Sequence, residues 1–140
     1  MTEMADFKKV KESFDRQEFM KTLGATLESV EAGKVIISAP FQDSLTQQHG
    51  FFHAGVLTSI VDSACGYAAL STADDQHEVL TVEFKINFLK PATAKRLIAI
   101  GQVVQSGRTL TICEGTVYNE TKDKVIAKMM ATIIVVKINS

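Results

Sequence analysis

The most regular alternation of hydrophobic and polar positions lies between residues 79 and 89, in the segment VLTVEFKINFL. Its apolar members are Leu80, Val82, Phe84, Ile86 and Phe88, and its polar members are Thr81, Glu83, Lys85 and Asn87. A period of two predicts a β-strand that carries the apolar residues on one face and the polar residues on the other. Pro91 has no backbone N–H to donate to a sheet, so the strand is expected to end before it.

Further strands are predicted from the segments that precede and follow this one. The segment ATLESVEAGKVIISAPF predicts two strands joined at Ala32-Gly33. RLIAIGQVVQ and TLTICEGTVY flank Ser106-Gly107, which is typical of a hairpin turn. KVIAKMMATIIVV follows the polar turn NETKDK and predicts the last strand. The chain from about residue 77 onward is therefore expected to consist of strands and turns.

Two regions have helical spacing instead. Residues 5–22 predict one or two short helices, and the segment from Ala54 to about Ser71 predicts one long helix. A single substantial helix excludes a repeated βαβ fold. We therefore expect an α+β fold in which a curved antiparallel β-sheet of about six strands wraps around one long central helix. No linker, repeat or low-complexity segment is visible, which predicts a single domain over residues 1–140.

The long helix has two different faces when its residues are placed at about 100° intervals. The face centred on Asp62 is made of small residues, namely Gly55, Thr58, Ser59, Cys65, Gly66 and Ala69. The opposite face is apolar and suited to packing on the sheet, with Val56, Leu57, Ile60, Ala64, Tyr67 and Ala68. Small residues allow another helix or a narrow ligand to approach closely.

Asp62 is the one charged residue of this small face, and an unpaired carboxylate is costly to bury. One interpretation is structural: Asp62 is solvated, or it pairs locally with Ser59 or Ser63. The other is that the carboxylate lines a polar slot in which it acts on a ligand. The polar loop that precedes the helix favours the second interpretation.

The predicted start of the long helix at Ala54-Gly55 offers free backbone N–H groups and the positive end of the helix dipole. Such a terminus can stabilise a developing oxyanion. Position 55 lies about 10 Å along the helix axis from Asp62, on the same face. A thioester is a candidate ligand for this strip, with its carbonyl oxygen towards the helix start and its carbon towards Asp62.

Composition narrows the classes of function. The net charge is −1, so no broad basic field is available for nucleic acid or an anionic membrane. No apolar run approaches the roughly 18 residues of a membrane span, and the charged N-terminus lacks the apolar core of a signal peptide. Cys65 and Cys113 make no disulfide framework. We expect a cytoplasmic protein.

Three segments carry a resemblance to a known family. HGFFHAGVLTSIVDSACGYAA, INFLKPA and a late SGR together resemble the PaaI-type hotdog-fold acyl-CoA thioesterases. The resemblance implies a hotdog fold, an acyl-CoA substrate and a homodimer or homotetramer whose site lies between subunits. It implies hydrolysis without a metal or other cofactor. Hotdog domains also serve as dehydratases and ligand sensors, so the fold alone does not fix the activity.

The same resemblance assigns roles to individual residues. Asp62 matches the catalytic carboxylate, acting as general base or nucleophile, and Thr81 is similar to a residue that positions water beside it. Gly50 and His53 match the G-x-x-H of the family signature. Asp62 and Thr81 of one subunit are expected to face the helix start of the other.

The match departs from the family pattern at two positions. Ala54 and Gly55 stand where two glycines are usual, and a backbone N–H at either position is expected to polarise the thioester carbonyl. Gln47 stands where an Asn often assists, and Gln48 or His49 are alternatives because Gln is longer. An alanine at position 54 is tolerable if its backbone is helical.

The remaining charged residues, histidines and cysteines that could bind a ligand also have simpler structural explanations. Lys90 and Arg108 are the favoured cations for the phosphates of CoA, whereas solvated surface charge is the alternative. His49 and His53 are four residues apart, but His77 is not at ligand spacing, and no metal site is predicted. Cys65 has no basic neighbour in the sequence, which favours inert packing.

Two other functions remain open at this stage. One is a non-catalytic acyl-CoA-binding or sensor dimer, and the other is a hydratase or dehydratase. The preferred acyl group, the choice between CoA and carrier-protein thioesters, and the choice between dimer and tetramer are not determined by the sequence.

Overall fold

A computed structural model describes the backbone of residues 2–138 and the side chains of residues 7–138. The helices are α1 (Thr2–Arg16), α2 (Glu18–Thr22) and α3 (Ala54–Leu70), with a short 3-10 turn at Asp43–Leu45. The strands are β1 (Thr26–Glu31), β2 (Lys34–Pro40), β3 (His77–Phe88), β4 (Arg96–Ser106), β5 (Leu110–Tyr118) and β6 (Val125–Lys137). None of these described helices is long and apolar enough to cross a membrane. The predicted domain limits, residues 1 and 140, lie outside the described residues.

The six strands form one antiparallel sheet in the order β1-β2-β4-β5-β6-β3. Helix α3 connects β2 to β3, which lies at the far edge of the sheet, and it packs across the strands between them. The predicted α+β class and the predicted long helix are confirmed. The sheet curves around α3, and strands β2, β4, β5 and β6 bury side chains on the face that they turn towards the helix.

The core lies between α3 and the concave face of the sheet. From α3, the fully buried residues include Leu57, Ile60, Val61, Ala64 and Ala68, and from the strands they include Val35, Ile37, Leu97, Ala99, Val117 and Ile133. Burying one such large aliphatic side chain contributes about 1.5–3 kcal/mol. This apolar interface fixes the rotation of α3 and therefore decides which of its residues remain open to a ligand.

Helix α3 lies very close to the sheet at Gly101 of β4, which is opposite Gly115 of β5. A Cβ atom built on Gly101 would lie 2.3 Å from the carbonyl carbon of Ala64 and 2.5 Å from the amide nitrogen of Cys65. Both atoms belong to the backbone of α3, so they cannot rotate away. Only glycine at position 101 allows the helix to lie this close.

Replacing Gly101 by alanine is expected to lower the free energy of unfolding by about 1–3 kcal/mol, because α3 must move away from the sheet. Urea denaturation measures this change. Gln102→Ala is the matched control, since Gln102 is the next residue of β4 and is exposed on the other face. Equal unfolding midpoints for the two variants would contradict the packing argument.

Strand β3 contains a bulge that the sequence did not reveal. Thr81 lies opposite Ile133 and Glu83 lies opposite Thr132, so Val82 is an extra residue in the ladder. Because an extra residue reverses the phase of the alternation, Thr81 and Phe84 face the helix, whereas Leu80 faces away. The prediction that the apolar positions 80–88 share one face is therefore wrong for Leu80.

Within residues 2–138, β3 pairs with β6 on one side and has no strand on its outer edge. Phe84 and Phe88 turn towards the side of the sheet that holds α3, yet they remain 42% and 47% exposed. Helix α3 therefore does not cover this end of the concave face. A long open edge beside exposed aromatic rings is typical of a strand that pairs with another chain.

Candidate active site

Asp62 and Thr81 are in direct contact. Asp62 lies near the middle of α3, and the Thr81 hydroxyl donates a hydrogen bond of 2.8 Å to its Oδ1. The bulge at Val82 makes this contact possible, because it turns Thr81 towards the helix. The two residues are 19 positions apart in the sequence, so only the tertiary structure places them together.

Local pairing of Asp62 with a neighbouring serine is wrong. Ser59 donates to the carbonyl oxygen of Gly55 at 2.7 Å, and Ser63 donates to Gln17 Oε1 at 3.3 Å. Both hydroxyls are therefore directed elsewhere. In the described part of the chain, Thr81 is the side chain that supports the carboxylate.

The environment of Asp62 raises the pKa of its carboxyl group. Burial is the larger cause, because a half-buried carboxylate loses part of its hydration, and the hydrogen bond from Thr81 opposes the shift. A carboxylate with a raised pKa is a stronger base than an ordinary aspartate. The polar slot therefore keeps one poorly hydrated, well-oriented carboxylate beside a cavity.

The raised pKa also predicts an effect on stability. The folded state binds a proton on Asp62 more readily than the unfolded state, so this contribution is present below the unfolded pKa and is lost as pH rises through the higher folded pKa. At neutral pH the charge therefore destabilises the fold. Asp62→Asn removes the charge and keeps an acceptor for Thr81, so we expect a higher melting temperature at pH 7.

The gain should shrink as the pH falls through the raised folded pKa and be absent below about 4, where the aspartate is protonated in both states. Asp75→Asn is the control, because Asp75 is an exposed residue of the loop that follows α3. A lower melting temperature for Asp62→Asn than for the wild type at pH 7 would contradict the assignment of burial as the cause.

The open strip of α3 differs from the predicted one. Thr58, Ser59, Ser63 and Gly66 are half-buried, as is Asp62, but Cys65 and Ala69 are fully buried against the sheet. The predicted strip is therefore wrong for Cys65 and Ala69, because both side chains pack into the core. Burial raises the pKa of the Cys65 thiol, which agrees with a packing role.

The start of α3 is capped by His53. Its Nδ1 accepts a hydrogen bond of 2.7 Å from the Gly55 N–H, and its carbonyl oxygen accepts one of 2.9 Å from the Val56 N–H. Because Nδ1 is an acceptor, the neutral ring carries its proton on Nε2. A Cβ atom on Gly55 would lie 2.9 Å from Nδ1, so the cap requires glycine at position 55.

These contacts leave one backbone donor at the helix start. Among the described residues, none accepts a hydrogen bond from the Ala54 N–H, whereas the Gly55 and Val56 N–H groups are bound to His53. Ala54 is the first residue of α3 and has no left-handed φ, so alanine fits there without strain. The donor is exposed and lies at the positive end of the helix dipole.

Gln47 holds the loop before α3. Its Oε1 accepts hydrogen bonds from the backbone N–H groups of His49 at 2.6 Å and Phe51 at 3.2 Å. Gly50 has a φ of +82°, which a glycine adopts without cost at this tight turn. The oxygen of Gln47 is thus structural, and its NH₂ group remains as the donor that can meet a ligand.

Apart from Gly55, which lines a cavity of about 330 Å³ with Val56 and Ser59, the predicted site residues are divided between three cavities of the single chain. One of about 310 Å³ is lined by Gln47, Gln48, Phe51, His53, Ala54 and Lys90. A second, of about 180 Å³, is lined by Asp62 and Thr81. Arg108 lines a third, of about 260 Å³, near Asp74 and His77. One chain by itself does not bring these groups together.

Ser13 and Gln17 also line the cavity at Asp62 and were not singled out from the sequence. Gln17 Nε2 donates to the Tyr67 hydroxyl at 2.9 Å, and Ser13 lies 3.2 Å from the same hydroxyl. Tyr67 was predicted on the apolar face of the helix. A buried tyrosine needs a partner for its hydroxyl, which was the one signal that could have pointed to these residues.

Residues 49–126 match the model of the thioesterase superfamily. The chain belongs to the thioesterase superfamily. The human acyl-coenzyme A thioesterase 13 is 29% identical over 112 residues, which cover 79% of this chain and 79% of that protein. The protein is accordingly a thioester hydrolase.

Solved structures of relatives have the same fold. A thioesterase family protein from Silicibacter pomeroyi superimposes with a TM-score of 0.91 at 45% sequence identity, covering 94% of this chain and 98% of that one. The PaaI protein of E. coli superimposes with a TM-score of 0.89 at 20% identity, covering 100% and 98%. The predicted hotdog fold and the predicted PaaI-like family are confirmed.

Proposed function

We propose that this thioesterase hydrolyses acyl-CoA to the free acid and CoA, with Asp62 as the general base. The observation that carries the proposal is a poorly hydrated carboxylate, oriented by Thr81, at the mouth of a cavity. The similarity to an acyl-coenzyme A thioesterase supports CoA as the carrier of the acyl group. Carrier-protein thioesters are the second candidate substrate.

In the proposed reaction, Asp62 takes a proton from water while the water oxygen attacks the thioester carbonyl carbon. The carbonyl oxygen becomes an oxyanion, which the Ala54 N–H and the helix dipole stabilise. The tetrahedral intermediate then expels the CoA sulfur, which takes the proton from Asp62. The NH₂ group of Gln47 and the Nε2–H of His53 line the same cavity as Ala54 and are available to the carbonyl oxygen. Direct attack by Asp62 as a nucleophile is the less favoured route.

This chemistry requires a second copy of the chain. Ala54 and Asp62 are eight residues apart on one helix, which separates them by about 12 Å. A carbonyl bond is only about 1.2 Å long, so one thioester cannot contact both groups of the same subunit at hydrogen-bonding distance. Two copies paired through the open edge of β3 would set their α3 helices side by side in opposite directions. Each site would then combine Asp62 and Thr81 of one subunit with the helix start of its partner.

Lys90 and Arg108 are the proposed partners of the CoA phosphates. Lys90 lies on the rim of the cavity at the helix start, where the thioester carbonyl is expected. Arg108 lies in the turn between β4 and β5. Both are exposed and able to meet a charged ligand that remains largely in solvent.

Release of free thiol from a panel of acyl-CoAs tests the proposal directly. We expect turnover of at least one acyl class by the wild-type protein, whereas binding without thiol release would favour the non-catalytic binding dimer. Enoyl-CoA belongs in the panel, because its hydration would instead indicate a hydratase. A parallel assay with acylated carrier protein distinguishes the two carriers.

A further inference from the structure

The cavity beside Asp62 has a wall that comes from outside the segment shared with the family. Residues 49–126 match the superfamily, and they supply Asp62, Tyr67 and Thr81 to this cavity. Ser13 and Gln17 also line it, and they belong to the N-terminal region that the family match does not include. Residues of this kind are suited to setting the substrate preference of one particular chain.

We propose that this cavity receives the acyl group and that Gln17 and Tyr67 select short, neutral acyl groups with a hydrogen-bond acceptor at the end remote from the thioester. A terminal hydroxyl is the acceptor we favour. This inference rests on the proposed function, because it places the thioester carbon at Asp62. The acyl group then extends from Asp62 along α3 towards Tyr67, about 7.5 Å further along the helix axis.

The hydrogen bonds among Ser13, Gln17, Ser63 and Tyr67 leave two donors that can meet a ligand. Gln17 uses its Oε1 to accept from Ser63 at 3.3 Å and one N–H to donate to the Tyr67 hydroxyl at 2.9 Å. Ser13 also donates to that hydroxyl, at 3.2 Å. The second N–H of Gln17 and the phenolic proton of Tyr67 remain for a ligand. These two donors favour an acyl group that carries a hydrogen-bond acceptor.

Gln17 is also an unusual residue for its place in the backbone. It is the N-cap of α2, where Ser, Thr, Asp or Asn would bind the helix N–H groups, and its side chain makes no capping hydrogen bond. The longer side chain instead crosses to α3, where it reaches both Ser63 and Tyr67. The Gln17 side chain therefore makes its hydrogen bonds at the cavity instead of capping α2.

Size and charge narrow the acyl class further. A buried apolar cavity of about 150 Å³ accepts benzene, so the cavity of about 180 Å³ suits an acyl group of roughly six carbons. Asp62 and Glu78 both line it, and their carboxylates would repel an acyl group that ends in a carboxylate. A neutral hydroxyl satisfies the donors without this repulsion.

Three CoA thioesters with the same six-carbon chain provide the test: hexanoyl-CoA, 6-hydroxyhexanoyl-CoA and adipoyl-CoA. We expect kcat/KM to be about tenfold higher for the hydroxylated substrate than for hexanoyl-CoA, and lowest for adipoyl-CoA. Gln17→Leu and Tyr67→Phe should each reduce the preference for the hydroxyl to about one. Gln102→Leu is the matched control, since Gln102 is exposed on the opposite face of the sheet, and it should keep the preference.

Gln17→Leu could lose the preference simply because α1 no longer packs against α3. The Tyr67→Phe variant keeps the aromatic ring in the core, so it tests the hydroxyl without that effect. Equal rates for hexanoyl and hydroxyhexanoyl thioesters, or a preference that survives in both variants, would overturn this inference while the proposed function stands. If no acyl-CoA of any length is hydrolysed, the proposed function fails first and this inference fails with it.

Discussion

Replacing Asp62 by asparagine is expected to lower kcat for thioester hydrolysis at least about 100-fold, the smaller effect expected when a general base is removed. Asparagine has nearly the same shape and still accepts the hydrogen bond from Thr81, so the slot should keep its geometry. The amide cannot take a proton from water at neutral pH. Thiol release from the best acyl-CoA of the panel, measured for both proteins, gives the ratio.

The pH profile identifies the base. Because burial raises the pKa of Asp62, kcat/KM of the wild type should rise with pH through a value above that of an ordinary aspartate and then level off. Asp75→Asn should keep both the rate and the profile. An Asp62→Asn variant as active as the wild type would show that the carboxylate is structural, and the binding-dimer interpretation would then take precedence.

Ala54→Pro is expected to lower kcat about 100- to 1000-fold, the usual effect of removing one oxyanion donor. Proline is favoured at the first position of a helix, and it lacks only the N–H group that the structure leaves free. His53 has φ −63° and ψ 139°, the conformation required before a proline. The substitution therefore replaces the free N–H by a ring carbon, Cδ, while the helix should remain intact.

Ala54→Gly is the matched control, because it changes the same side chain and keeps the N–H. The ratio of kcat between the Gly and Pro variants isolates the backbone donor, and circular dichroism verifies that both proteins keep their helical content. If the Pro variant is as active as the Gly variant, the oxyanion must be stabilised elsewhere, with Gln47 and His53 as the next candidates.

Mixing the two inactive variants tests the shared site. In a heterodimer of Asp62→Asn and Ala54→Pro subunits, one site would combine both intact residues and the other would combine both defects. Random pairing of equal amounts should restore about one quarter of the wild-type activity after co-expression. No restoration in a mixture verified to contain heterodimers would contradict the shared site, because one site of each heterodimer should be intact.

Part of the site can be predicted from the pattern of residues in the sequence. Asp62 stood out because one carboxylate interrupts a small and apolar face, and the predicted start of α3 at Ala54-Gly55 agrees with its observed start at Ala54. The roles proposed for Gln47 and His53 came from a resemblance, and the structure adds what those side chains bind. Gln17 carried no such signal, because one glutamine near a short helix has many ordinary explanations.

The long helix, the strands and the α+β class of this protein follow from periods of 3.6 and two, which are local properties of the backbone and can be predicted from the sequence. Which side chains meet depends on the tertiary structure. The bulge at Val82 reversed the phase of β3 and brought Thr81 to Asp62, and the packing of α3 on Gly101 turned Cys65 into the core. A bulge depends on the partner strand, and a helix rotation depends on the surface beneath it, so neither is encoded in the spacing of one segment.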